Sequence, residues 1–166
     1  MKASTPGAAG DHPHSLGTAD GRLPDGATVR DTLYPGVARL DPELRAALRA
    51  ATADAADDGV RIRLESGWRS RAYQAHLLAD AVSQYGSAAE AARWVATPDT
   101  SPHVGGDAVD VGPADAMTWL ARHGEEYGLC RVYANEPWHV ELREDAARDG
   151  CPAPYADPTH DPRMAR

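Results

Sequence analysis

Two short stretches of the chain hold residues that together could carry out hydrolysis. In SPHVGGDAVDVG, Ser101 to Gly112, six residues separate His103 from Asp110; in EPWH, Glu136 precedes His139 by three. A hydrolytic zinc site takes three protein ligands with nitrogen or oxygen donors and leaves one position open for water. His103, Asp110 and His139 form such a set if neighbouring strands bring them to one face. Glu136 would then stand at the turn beside the open position, where a carboxylate can take the proton of the attacking water and hand it to the leaving amine. Spacing alone is weaker evidence, since a single histidine is more often a surface or core residue; His12, His14, His76, His123 and His160 are read that way. Asp107 is a further carboxylate of the same stretch, and the least favoured as a ligand because His139 fills the third place. Trp138 reads as a packing residue, Tyr133 as a core or rim residue that could also reach the site, and Glu125 and Glu126 as a solvated helix end.

Local patterns predict the elements that must position these residues. Asp41-Pro42 opens a helix in which Leu44, Ala47, Leu48, Ala51 and Ala55 share a face, and Gly59 stops it. Val60, Ile62 and Leu64 alternate with Arg61, Arg63 and Glu65, the period of a half-buried strand that leads to Ser66-Gly67-Trp68-Arg69-Ser70. Ser70 caps a second helix with Tyr73, Leu77, Leu78, Ala81 and Val82 inward and Gly86 at its end. Ser87 and Glu90 form a capping box for a short third helix through Trp94. After a loop from Thr97 to Ser101, Ala108, Val109 and Val111 suggest a short strand. A fourth helix from Pro113 to Gly124 carries Met117, Trp119 and Leu120, and two last strands, Leu129 to Tyr133 and Trp138 to Leu142, flank a tight ANEP turn. Helices mixed with short strands, without regular βα alternation, indicate an α+β fold with a small, mainly antiparallel sheet flanked by helices.

The length of 166 residues fits one domain with its own core. Residues 1–32, rich in Gly, Pro, Asp and Ala without periodicity, read as an extended or disordered arm. Residues 33–166 read as the single domain, with an irregular strap from about residue 143. There is no phenylalanine, so core volume must come from Leu, Val, Trp and Tyr. A net charge of -8 argues against nucleic acid or an anionic membrane as partner. No apolar run is long enough to span a bilayer, and the first residues lack the apolar core of a signal peptide. The protein is therefore either cytoplasmic or separated from its signal, and it is expected to be a monomer. Cys130 and Cys151 are too few for a zinc ribbon. One disulfide, which would favour export, and two buried thiols are the alternatives.

Three motifs in order resemble a known group of enzymes. Ser101, His103, Gly106, Ala108 and Asp110 fit SxHxxGxAxD; Glu136, Trp138 and His139 fit ExWH; SGWRS, Ser66 to Ser70, is close to SGYRS. Over roughly Asp41 to Leu142 the chain resembles the zinc D-alanyl-D-alanine carboxypeptidases of the VanY type, in the wider peptidase family that also holds the VanX dipeptidases and L-alanyl-D-glutamate endolysins. The resemblance implies the hedgehog-like metallopeptidase fold and one Zn2+ per chain on His103, Asp110 and His139, with Glu136 as general base. It implies that Arg69 reaches toward the scissile carbonyl and substrate, and that Gln74 and Ser101 hold polar groups of the substrate. The expected partner is a peptidoglycan peptide ending in D-Ala-D-Ala. Release of terminal D-alanine is the expected reaction, with a D-Ala-D-Ala dipeptidase, an L-Ala-D-Glu endopeptidase or a non-catalytic cell-wall binding module as alternatives. The resemblance also favours a secreted or cell-wall-associated protein whose signal is absent from this chain. Two departures bear on the substrate: Pro98-Asp99-Thr100 stands where the family often has Pro-Gly before SxH, and Trp68 replaces a tyrosine. Gly105 and Gly106 are expected to let backbone pass close to a metal or substrate.

Overall fold

The computed structural model describes residues 16–165. His12, His14 and the first part of the expected arm lie outside these residues. From residue 16 the supposed arm is packed on the domain. Asp20 accepts the backbone N–H and the hydroxyl of Ser70, Ala27 accepts the N–H of Leu64, and Val29 sits in the core. The region has little periodicity because its contacts are made by single residues rather than by a repeating face.

Helix α1, Pro35–Ala38, leads to α2, Pro42–Asp57, where the Asp41 carboxylate caps the N–H groups of Glu43 and Leu44. Leu44, Leu48, Ala51 and Ala55 form the buried stripe of α2, as its spacing predicts. Strand β1, Arg63–Ser66, is followed by α3, Arg71–Tyr85, capped by Ser70, and by α4, Ala88–Ala92, capped by Ser87. Strand β2, Ala108–Gly112, runs into α5, Ala114–His123, and β3, Leu129–Arg131, and β4, His139–Leu142, complete the sheet. The last helix, α6, Ala146–Asp149, interrupts the expected irregular strap.

The sheet order is β1-β2-β4-β3, and every pair is antiparallel. Helices α2 and α5 pack against it around Leu44, Leu48, Ile62, Leu64, Val109, Val111, Trp119, Leu120, Leu129 and Val140. Burial of this apolar surface, which is proportional to area removed from water, is the main force holding the elements together. Register then does the functional work: Asp110 stands opposite His139 on one side and beside Ser66 on the other.

Helix α3 departs from expectation. Only Ala81 of its predicted apolar face is fully buried, together with Gln74, whereas Tyr73, Leu77, Leu78 and Val82 are half-buried. The helix flanks a cleft instead of the core, and Leu77 and Ala81 line that cleft. Cys130 and Cys151 are joined in a disulfide, which fastens the C-terminal segment to β3.

Candidate active site

The three candidate ligands come from three segments whose meeting is fixed by backbone. Cross-strand pairing of β2 with β4 sets Asp110 beside His139, because directly opposed residues on antiparallel strands share a face. His103 arrives on the loop before β2 and is tied to the end of β1: its carbonyl accepts the Arg69 N–H at 3.1 Å, and its Nδ1 donates to the Gly67 carbonyl at 2.9 Å. Gly67 lies so near the Gly36 carbonyl that an added Cβ would fall 2.1 Å from that oxygen. Gly106 has φ +78°, and a Cβ there would meet the Arg39 carbonyl oxygen at 2.5 Å. The role expected of that glycine is thus corrected: it lets the ligand loop pass the start of α2, not a metal or substrate.

His103 and His139 are buried, and the Asp110 side chain is 14% exposed. His139 Nε2 meets Glu141 Oε1 at 2.8 Å; since a carboxylate can only accept, the imidazole donates from Nε2 and its Nδ1 lone pair is left facing Asp110. The same logic applied to His103, which donates from Nδ1, leaves its Nε2 lone pair facing Asp110. Asp110 Oδ1 lies 3.3 Å from His103 Nε2 and 3.5 Å from His139 Nδ1, yet it is buried without any hydrogen bond. With both imidazoles neutral, three acceptors point at one another, with ligand atoms within 4.8 Å of one another. Two nitrogens and a carboxylate oxygen, each held by a fixed partner behind it, are the donor set of a zinc site, and a cation between them would relieve the repulsion. Among the described residues, no other group of His, Cys, Asp and Glu side chains could hold a metal. Asp107 is exposed and takes no part.

Charge balance among these side chains follows from the same contacts. Burial disfavours a proton on His139, but the Asp110 and Glu141 carboxylates outweigh it and raise the imidazole to about 9, so near neutral pH a proton on Nδ1 fills the place that a cation would take. His103 moves the other way, lowered by burial and by the Arg69 cation. Burial pushes the Glu136 carboxyl up to about 7. Glu136 is buried at the edge of the cleft, accepts no hydrogen bond on its carboxylate from any described residue, and holds the His139 N–H through its own carbonyl at 3.1 Å.

Arg69 is held on three sides: Nη2 donates to Asp110 Oδ2 at 2.8 Å, Nη1 to Gln74 Oε1 at 3.0 Å, and Nε to Ser66 Oγ at 2.8 Å. Gln74, which is 1% exposed, spends its amide on Arg69 and on the Ala96 carbonyl at 2.8 Å, so it orients the arginine. Ser101 accepts the His103 N–H at 3.2 Å and keeps its own hydroxyl proton for the cleft. The cleft, about 490 Å³, has Arg69, Ser101, Glu136 and Trp138 around the candidate ligands and Leu77, Tyr85 and Trp94 farther along. Trp68 is turned away from it beneath the Arg39 guanidinium, 4.6 Å from the ring centre, and Asp99 is paired with Arg71. Neither departure in the motifs therefore adds a group to the cleft wall.

Sequence reasoning missed the carboxylate behind His139. Glu141 is two residues on along β4, on the same face, and is 1% exposed; the strand period could have singled it out. Tyr133 is buried with its ring 5.0 Å from that of His139, and its hydroxyl donates to Asp161 at 2.7 Å. Of the remaining described histidines, His76 pairs with Asp80 on the surface, His123 packs its ring at a tilt against Trp119, and His160 lies exposed beside Asp157.

Comparison with known proteins finds a matching family and similar solved structures. The family model described as VanY: D-alanyl-D-alanine carboxypeptidase matches residues 37–144. A D-alanyl-D-alanine carboxypeptidase of Enterococcus faecalis (strain ATCC 700802 / V583) is 32% identical over 127 residues, covering 61% of this chain and 46% of that protein. The chain thus spans about half the length of this curated relative. Among solved structures, the vancomycin resistance D,D-pentapeptidase VanY from the VanB-type cassette in complex with Zn(II) is similar with a TM-score of 0.62 and 27% identity, over 66% of this chain and 76% of the other. An L,D-carboxypeptidase, DacB from Streptococcus pneumoniae, is similar with a TM-score of 0.55 and 29% identity, over 66% of this chain and 70% of the other.

Proposed function

Because the chain belongs to the VanY family of D-alanyl-D-alanine carboxypeptidases, we propose that it is a zinc peptidase that removes the terminal D-alanine from peptidoglycan stem peptides. The observation that carries this reading is the convergence of the His103, His139 and Asp110 acceptors on one point of the cleft wall, with Glu136 and Arg69 beside it. His103 Nε2, His139 Nδ1 and Asp110 Oδ1 would hold the ion. Zinc bound there supplies a Lewis acid that polarises the scissile carbonyl and makes water a better nucleophile.

The chain's own residues do the rest. Glu136 accepts a proton from the attacking water as its oxygen bonds to the carbonyl carbon, and passes that proton to the departing nitrogen as the C–N bond breaks, so that D-alanine leaves with a neutral amine. Glu136, raised to about 7 by burial, would be held ionised and ready as a base by a cation beside it. Arg69 offers a fixed cation to the oxyanion or to the substrate carboxylate; three hydrogen bonds hold it before substrate arrives, so little reorganisation remains. Gln74 acts on the substrate through Arg69, and the Ser101 hydroxyl donates to a substrate carbonyl. A substrate peptide in cell wall requires an exported enzyme, and the Cys130–Cys151 disulfide suits an oxidising compartment. No helix among the described residues is long and apolar enough to cross a membrane.

The choice between carboxypeptidase and its relatives is tested with purified, zinc-loaded protein on four substrates: free D-Ala-D-Ala, a stem pentapeptide ending in D-Ala-D-Ala, the tetrapeptide lacking the last residue, and intact peptidoglycan. The expected result is one D-alanine from each pentapeptide and slow or no cleavage of the dipeptide. Preference for the dipeptide would make it a dipeptidase, preference for the tetrapeptide an L,D-carboxypeptidase, and cleavage between L-alanine and D-glutamate an endopeptidase.

A further inference from the structure

Behind the candidate metal centre lies a buried ionic network that reaches into the C-terminal segment, past the end of the family match at residue 144. This segment is bound to the domain at successive points. The disulfide at Cys151 ties it to β3, Tyr155 donates its N–H to the Val132 carbonyl at 2.9 Å and accepts the Ala134 N–H at 2.8 Å, and Asp157 pairs with Arg93. Pro158 then forms part of the cleft wall, and the chain turns at Asp161 to present Arg163 to Glu141.

The contacts of Arg163 are specific. Its Nη1 donates to Glu141 Oε2 at 2.9 Å and its Nη2 to Glu141 Oε1 at 3.1 Å, a two-pronged grip on one carboxylate. Its Nε and Nη2 donate to Asp161 Oδ2 at 3.0 and 2.7 Å, and Asp161 also takes the Tyr133 hydroxyl. Arg143 adds a donor to Glu141 Oε2 at 3.0 Å. Two buried carboxylates are thereby matched by two arginines, and the plane of the Glu141 carboxylate is fixed. Glu141 Oε1 accepts the Nε2–H of His139 and so, in the neutral imidazole, leaves the Nδ1 lone pair facing the other two candidate ligands. A planar guanidinium can lock a carboxylate in this manner, whereas a point-charge ammonium cannot.

We propose that Arg163 is a positioning residue for the metal centre: the C-terminal segment, through the relay Arg163–Glu141–His139, holds the His139 imidazole in its metal-binding tautomer and orientation. The proposal rests on the reading that His103, Asp110 and His139 bind zinc. It assigns a role in the metal site to a segment that also covers the sheet edge at β3. Outer partners of a ligand imidazole set its orientation and basicity, and their loss typically weakens metal binding by about 10–100-fold.

The test is zinc affinity of the full chain, measured by competition with a chromophoric chelator for wild type, Arg163→Ala and Arg163→Lys, together with the visible absorption of the Co(II)-substituted proteins and thermal unfolding of the metal-free ones. The expected outcome is zinc binding weakened by about 10–100-fold in Arg163→Ala, a smaller loss in Arg163→Lys, and Co(II) bands displaced from wild type while the metal-free variants remain folded. Equal zinc affinity and unchanged Co(II) bands in a folded Arg163→Ala would overturn the proposal and leave the arginine as a tether. Should Arg163→Ala fail to fold, Arg163→Lys decides, with affinity and bands equal to wild type counting against the relay. Failure of wild type itself to bind zinc would instead overturn the underlying reading of the site.

Discussion

Glu136→Gln is expected to slow D-alanine release by about 10²–10⁴-fold, the range of a positioned general base, with zinc affinity unchanged. Glutamine preserves size and polarity but cannot take a proton. Glu136 is suited to the task by its surroundings: burial raises its carboxyl to about 7, its oxygens are free of hydrogen bonds from any described residue, and its carbonyl bond to the His139 N–H ties it to the ligand strand. It is absent from the ligand cluster, so its loss should leave the metal in place. Steady-state rates on a pentapeptide, with metal content determined on the same samples, check both halves. Wild-type turnover by the variant would remove Glu136 from the mechanism, and loss of zinc along with activity would make it a ligand.

Asp110→Ala is expected to abolish zinc binding at stoichiometric metal, and activity with it. Loss of an outer partner alone costs about 10–100-fold in affinity, so removal of a ligand should cost more than about 10²-fold. Asp110 contributes twice, through Oδ1 to the ligand cluster and through Oδ2 to Arg69 at 2.8 Å. Excess zinc should therefore restore little of the rate, because Arg69 has lost one of the three bonds that fix it. Equilibrium dialysis of wild type and variant reads the first effect, and assays across a zinc series the second. A variant that kept one zinc at wild-type affinity would show that the ligand set lies elsewhere.

Local patterns in the sequence were sufficient for most of the elements. The Asp41 and Ser70 caps, the alternation before Ser66 and the apolar stripe of α2 are each settled within one or two turns of chain, and the structure places these elements within a few residues of expectation. Helix α3 was harder because an apolar face turned to a cleft has the same period as one turned to a core; only the neighbours distinguish them. The segment from residue 16 to Thr32 was misjudged for a related reason, since contacts such as Ala27 with Leu64 leave no periodic trace. His103, Asp110, His139 and Glu136 stood out because chemistry restricts them to few residue types at linked spacings. Arg163 does not, because its pairing with Glu141 spans 22 residues and leaves no local pattern, whereas Glu141, two residues from His139 on the same strand face, is within reach of the strand period. Gln74 and Ser101 are singled out only by their places in the family motifs, and the bonds of Gln74 to Arg69 and Ala96 are beyond the reach of sequence.

The central claim, that this is a zinc enzyme acting on a D-alanine terminus, is tested most directly by titrating zinc into chelator-stripped protein while following D-alanine release from a stem pentapeptide. The account predicts no release without metal, a rate that climbs with added zinc and levels off at one ion per chain, and one D-alanine with one tetrapeptide formed for each pentapeptide consumed. Release that proceeds equally in the stripped protein, or a fully zinc-loaded protein that leaves the pentapeptide intact, would contradict it.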